Sequence, residues 1–385
     1  MNILFVSHDR CLGGAISSLL NIIFTINRDY PNIKVFVVVP KGKVFYSDEL
    51  DRLDCTVLHE KYYLWGGWNP SGSFVKLIYK KLKWFFHDRI VNMITAQKLA
   101  EYAKENNIDI IHSNSSIVNL GALISKYSKI KHIWHFREFL QEDQNVIMWC
   151  SNSFFRKTIK NHCDIIIAIS KAIENKYKNL FGNKIKMIYN GVPEPDKTDI
   201  LKKNENDQIF NIIEVGKITK NKGVDISIRA LKELVERGYK NVMLYLAGKP
   251  EFDFDKSEYE AVKDYVNVLG QMKPKQITEL RRSKAQIEVV CSKSEAFGRV
   301  TIEAMMCGLP VIGSASGGTP ELIKDGYNGY LFKPGDASDL ADKIEYLINN
   351  REVIQTMSSN GEIFAKNFTI EQCVSNIVNL YNEIL

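Results

Sequence analysis

Residues 287–318 read IEVVCSKSEAFGRVTIEAMMCGLPVIGSASGG. Residues 287–290 and 310–312 are short apolar runs, and residues 300–307 between them carry apolar side chains at helical spacing. Strand, helix and strand in that order predict two parallel strands joined by a crossover helix. Repeated along a chain, such units give a parallel sheet covered on both faces.

The repetition is there on both sides of the quoted stretch. Upstream, residues 212–215, 243–246 and 266–269 read as strands, with helices at 224–237 and 274–282. Nearer the start, strands are expected at 2–7, 35–39, 109–112 and 164–169, and helices at 14–26 and 171–180. The two series are separated by residues 191–208, GVPEPDKTDILKKNENDQ, which hold two prolines, many charges and almost no apolar periodicity. That segment predicts a linker between two doubly wound α/β domains. A chain of 385 residues, 45% hydrophobic and 25% charged, is too long for one core and suits two.

Charge is spread unevenly. The first 200 residues hold 27 lysines and arginines against 19 acids, and the remainder 24 against 26. A basic first half raises the local concentration of phosphates and anionic headgroups. No zinc-finger, RRM or KH pattern accompanies it, so nucleic acid is not the expected partner. Seven cysteines without a C-x-x-C pair read as reduced thiols. No run approaches 18 apolar residues and the N-terminus has no signal-peptide pattern, so the chain is expected in the cytoplasm.

In open α/β sheets ligands bind outside the carboxyl ends of the strands, so the loops after strands carry the chemistry. After the first strand, Gly13 and Gly14 open a helix whose unpaired amides can approach an anion, although a plain turn accounts for two glycines as well. After the strand at 212–215, Gly216, Lys217, Lys220 and Lys222 surround a turn, where cations aimed at a departing diphosphate would stabilise it. After the strand at 287–290, Glu295 and Glu303 are separated by seven residues, with Phe297, Gly298, Arg299 and Val300 between them. A carboxylate accepts from two adjacent hydroxyls, and Gly298 lets backbone amides reach a phosphate.

Ser294, Glu295, Phe297, Gly298, Glu303, Ala304, Met305, Gly308, Pro310, Val311, Gly317, Gly318 and Glu321 together resemble the E-x7-E signature of family 4 glycosyltransferases. Lys222-Gly223 matches the same family, while Lys217 stands where an arginine is usual, keeping the charge without the bidentate fork. The resemblance implies the GT-B fold: two Rossmann-like doubly wound domains facing across a deep cleft, at 1–195 and 196–365, with a C-terminal helix at 366–385 crossing back to the first. It implies a retaining enzyme that moves a sugar from a nucleotide diphosphate donor, with UDP the commoner nucleotide, to a saccharide or lipid-linked saccharide. His135 would contact the donor sugar, and Lys217, Lys222 and Glu295 would act at the reacting centre. Gly13, Gly14, Gly216, Phe297, Gly298, Arg299, Val300 and Glu303 would bind the donor, with Gly270 and Gln271 near the base. Trp134, Arg137 and Glu138 would line the acceptor side, and no metal or further cofactor is expected. His112 and His132 read instead as satisfied core histidines.

Three features pull elsewhere. Asp253 and Asp255 form an Asp-x-Asp, a metal-binding sign of a different architecture, read here as a solvated loop or helix start. Residues 74–89, FVKLIYKKLKWFFHDR, mix large apolar side chains with five cations. They predict either a helix packed on its own sheet or one meeting the inner face of an anionic membrane. A nucleotide-sugar epimerase and a non-catalytic saccharide- or lipid-surface binder share the expected architecture; Glu295, Glu303, Lys222 and His135 favour transfer.

Overall fold

The computed structural model describes residues 1–68, 74–140, 146–195, 208–251, 253 and 256–385. Most of the expected linker, and Asp255 of the Asp-x-Asp, lie outside the described residues. The chain divides into two compact units, Met1–Gly191 with Ile370–Leu385, and Val192–Thr369.

The first unit is built on seven parallel strands in the order β3-β2-β1-β5-β6-β8-β9. Their ranges are β1 Asn2–Val6, β2 Lys34–Pro40, β3 Cys55–Glu60, β5 Ile110–Ser113, β6 Lys131–Phe136, β8 Ile165–Ala168 and β9 Ile185–Met187. A separate antiparallel pair joins β4 (Gly66–Trp68) to β7 (Val146–Met148). Because side chains alternate across a strand, a sheet buried on both faces needs unbroken apolar strands. In β1, Ile3 and Phe5 join the core under the helices Gly14–Asp29 and Ile370–Ile384. Leu4 and Val6 point the other way, into a core shared with the helices Met93–Glu105 and Leu120–Ser128.

The second unit repeats the plan with six parallel strands in the order β12-β11-β10-β13-β14-β15. These are β10 Phe210–Val215, β11 Val242–Ala247, β12 Val266–Gly270, β13 Ile287–Val290, β14 Val311–Ser314 and β15 Gly329–Phe332. Numbered within the unit the order is 3-2-1-4-5-6, which reverses between β10 and β13; in the first unit it reverses between β1 and β5. Each reversal leaves a crevice at the carboxyl ends of two strands. The loops after β1, β10 and β13, which lie at these crevices, are the glycine-, lysine- and glutamate-bearing loops singled out above.

Candidate functional site

In the second unit the turn after β10 is pinned from several sides. Thr219 accepts a hydrogen bond from the Lys222 amide, and the Asp253 carboxylate accepts from the Lys220 amide. Asp253 therefore shapes the lysine turn. Gly223 closes the turn at φ +78°, and a Cβ there would lie 2.0 Å from the Cys291 carbonyl oxygen. Only glycine lets the helix Val224–Glu236 start so close to the end of β13. Lys222 is thereby delivered to the loop after β13, where its Nζ donates to Glu295 Oε1 at 2.6 Å. Ser292 Oγ donates to the same oxygen at 2.6 Å.

Burial alone would raise the Glu295 carboxyl, but the Lys222 charge and the two hydrogen bonds outweigh it and hold the pKa below the ordinary value. A carboxylate and an ammonium thus stand together at the switch point, each side chain still partly open, at 15% and 42% exposure. Lys217 extends further into solvent and, among the described residues, makes a loose pair with Glu251 at 3.4 Å, which leaves its charge accessible to an anion. Gly317, at φ +58°, lies against the Glu295 backbone, and the Gly318 amide donates to the Glu295 carbonyl at 2.7 Å. The paired glycines of the quoted stretch therefore buttress the Glu295 loop.

Gly298, at φ +96°, is the N-cap of the helix Arg299–Met306 and has no side chain with which to cap it. Phe297 is buried against Phe368, so its contribution to a ligand is its backbone. Glu303 sits one turn on, with Oε2 3.3 Å from Arg281 and Oε1 3.3 Å from Arg299. Gly270 ends β12 at φ +70° and Gln271 next to it is exposed. Behind the site Glu214 is buried at the end of β10, accepting from Ser227, and burial pushes its carboxyl up to about 8.

In the first unit, adding a Cβ at Gly13 or Gly14 would meet nothing within 4 Å, and neither has positive φ. Neither crowding nor backbone strain explains these glycines, which stand at the start of the helix Gly14–Asp29. Beneath it lies a buried polar network. Arg137 donates from Nε to Asn114 Oδ1 and from Nη1 to Asn190 Oδ1, each at 2.8 Å. Asn114 in turn donates to the Ala15 carbonyl and Asn190 to Ser18 Oγ, both on the first turn and a half of that helix.

The third guanidinium nitrogen fixes a tautomer. Arg137 Nη2 can only donate, so His135 Nδ1 accepts from it at 3.2 Å and the neutral ring carries its proton on Nε2. His112 Nε2, 3.2 Å from the same Nδ1, is then a donor, and His112 Nδ1 accepts from the Tyr381 hydroxyl at 2.6 Å. Burial, then the Arg137 charge, pushes both histidines well below their ordinary pKa and keeps them neutral. The series ends on a buried His135 Nε2–H with no hydrogen-bond partner among the described residues.

One expectation for this unit changes. Trp134 is fully buried, stacked on Trp65 at 5.3 Å, with its N–H donated to the Ser115 carbonyl; it belongs to the interior and lines no acceptor surface. His112 and His132, both read as satisfied core histidines, have a partner at each ring nitrogen: His112 between Tyr381 and His135, and His132 between Ser113 Oγ at 2.9 Å and the His162 carbonyl at 2.7 Å. Glu138 is turned inward to accept from the Ser115 hydroxyl and from the Ser116 amide and hydroxyl, which sets the loop after β5.

Residues 195–364 match the family described as glycosyl transferases group 1, and residues 33–194 match glycosyltransferase family 4. An uncharacterized glycosyltransferase of Methanocaldococcus jannaschii is 34% identical over 300 residues, spanning 76% of this chain and 80% of the relative. The chain belongs to the family 4, group 1 glycosyltransferases. The glycosyltransferase is also 28% identical, over 335 residues, to N-acetyl-alpha-D-glucosaminyl L-malate synthase of Bacillus anthracis, covering 78% of this chain and 84% of that one. Anabaena HepE, solved with UDP and with UDP-glucose, shares its fold over the full length of both chains, with TM-scores of 0.76 and 0.75 and identities of 21% and 22%.

Sequence reasoning about this glycosyltransferase missed Arg281. That side chain is buried and bidentate to Glu288, at 2.7 and 2.9 Å, while reaching Glu303. The signal was Glu288 itself, a carboxylate inside the apolar run IEVV, which a buried strand tolerates only with a cationic partner. Among the described residues no group of three His, Cys, Asp or Glu side chains is placed to hold a metal ion, and no helix is long and apolar enough to cross a membrane.

Proposed function

We propose that the glycosyltransferase moves a sugar from a UDP-sugar to a saccharide or lipid-linked saccharide with retention of configuration, at the cytoplasmic face of a membrane. The observation that carries the donor half is the Lys222–Glu295 pair at the switch point of the second unit, held there by Gly223. The nucleotide diphosphate lies against Lys217, Lys222 and the amides after Gly298, which meet the charge that grows on the phosphate as the sugar carbon leaves it. Glu295 and Glu303 accept hydroxyl donations from the sugar and the ribose. The free Nε2–H of His135 donates to the donor sugar. UDP is favoured because HepE was solved with UDP and UDP-glucose.

In the retaining scheme the acceptor oxygen bonds to the anomeric carbon on the face from which the diphosphate departs. The bond from that carbon to the phosphate oxygen breaks, and the departing phosphate takes the acceptor proton. Lysines and helix amides supply the electrostatic stabilisation, so the scheme requires no divalent ion. Lys222→Ala should lower kcat roughly 10²- to 10³-fold. Glu303→Ala should chiefly raise the donor KM. Both are read in donor-hydrolysis and transfer assays, and unchanged rates in both variants would reject the assignment. Activity lost to EDTA and restored by manganese would reject the metal-free scheme separately. Product joined to an acceptor, rather than an isomerised donor, distinguishes transfer from epimerisation.

A further inference from the structure

The helix Phe74–His87, continued by a π-helical turn at Asp88–Asn92, is turned inside out relative to an ordinary surface helix. Val75, Ile78, Tyr79, Leu82, Phe85 and Phe86 are all exposed, from 43% at Ile78 to 75% at Val75. At about 100° per residue, Val75, Tyr79, Leu82 and Phe86 fall within about 60° of one another, and Ile78 and Phe85 form the adjoining row. Trp84 lies on the opposite side, buried edge-on against Phe154, so the apolar face looks away from the protein. Ile90 within the π-helical turn and Ile94 after it are exposed as well, at 56% and 62%.

The exposed charges of residues 74–89 have one sign. Lys76 and Lys83 fall on one flank and Lys81 on the other, with Arg89 packed over Phe85. The only acid in 74–89, Asp88, is buried, accepting from Asn92 and Asn119, and adds no negative charge to the surface. A second copy of the chain would have to lay this patch on itself, bringing cations against cations around the apolar strip. An anionic bilayer has the opposite sign and needs no matching groove, and an apolar face flanked by lysines is what sinks into the headgroup boundary.

We infer that the helix Phe74–His87 is an interfacial membrane anchor that lies flat on an anionic bilayer, apolar face down, with Lys76, Lys81 and Lys83 at the phosphate level. It leaves the sugar chemistry to other parts of the chain, so binding is measured without any donor. The full-length protein is sedimented with vesicles of phosphatidylcholine alone and of phosphatidylcholine with phosphatidylglycerol. Wild type should favour the mixed vesicles at least tenfold, and Leu82→Asp with Phe86→Asp should abolish that while leaving donor hydrolysis in vesicle-free buffer unchanged. Lys81→Glu and Lys83→Glu should each reduce partitioning roughly fivefold or more and weaken its salt dependence. Equal sedimentation of wild type with both vesicle types, or of the aspartate variant with wild type, would overturn the inference. So would a wild-type dimer by light scattering that Leu82→Asp with Phe86→Asp makes monomeric, since a second copy would then cover the face.

Discussion

At Gly223 one missing Cβ decides whether the lysine turn can exist. Gly223→Ala would place a methyl 2.0 Å from a carbonyl oxygen at φ +78°, so both sterics and backbone oppose it. We expect a loss of more than about 3 kcal/mol in the second unit, seen as a lower denaturant midpoint; an unchanged midpoint would mean that the turn accommodates a side chain at position 223. Tyr381 acts over a longer reach. Its hydroxyl donates to His112, which lets His112 join Arg137 in donating to His135 Nδ1, opposite the buried His135 Nε2–H. Tyr381→Phe frees His112 to take the other tautomer. On the role proposed for His135, the expected result is a fall in kcat of roughly three- to tenfold with donor affinity unchanged. A variant that only melts earlier, with full kcat below its melting range, would show Tyr381 to be a packing residue.

Among the elements, the last helix has the clearest energetic role. In Ile370–Ile384 the side chains of Ile370, Cys373, Val374, Ile377, Val378, Leu380 and Tyr381 are buried in the core under β1 and β2 of the first unit. Each buried apolar side chain contributes about 1.5–3 kcal/mol, so together they rival the whole stability of an ordinary domain. Deleting Ile370–Leu385 should therefore unfold the first unit, visible as lost near-UV dichroism and lost protease resistance upstream of Gly191. Long apolar strands such as β1 and β2 were legible in the sequence because their pattern is local. Edge strand β3 and the short β15 were not, since half-burial and brevity weaken the pattern. The helices Ala337–Asn349 and Arg351–Ala365 also went unread, although Asp336, whose side chain accepts from the Asp339 amide, is a helix-start signal. In the site, Lys222, Glu295 and Glu303 were legible as residue types at fixed spacing. The partners that orient them were not, because pairing across a sheet is tertiary. His112 meets His135 only because β5 pairs with β6, His112 opposite Ile133. The direction of the helix Phe74–His87 was open for the same reason: periodicity shows that a helix has an apolar face, not which way it points.

For the whole molecule, the two units should answer pH in opposite directions. All seven histidines lie in the first unit. His112, His132 and His135 are buried and held neutral, with burial the leading cause in each, His132 down to about 4. Arg137 opposes protonation of His112 and His135, while Asp164 beside His132 only partly offsets its burial. Below about pH 6.5 the unfolded chain takes up protons that these folded rings refuse, so acid favours unfolding by up to about 1.4 kcal/mol per pH unit for each histidine. Asp88, raised by burial, gives an opposite slope in that unit, but it stands against these three and against His8, His87 and His162, which burial also lowers. In the second unit Glu214 keeps its proton to about 8, whereas unfolded glutamate releases it near about 4.3. The folded state there binds the extra proton, so its stability falls as pH rises between those values and recovers on acidification. Calorimetric scans between about pH 7.5 and 5.5 should show one transition moving down and the other up. Glu214→Gln should raise the second unit's transition at the alkaline end, by roughly 1–3 kcal/mol, and flatten its pH slope, which assigns the peaks. Two transitions that move together, or a Glu214→Gln variant with the wild-type slope, would show that burial does not hold these groups in the stated protonation states.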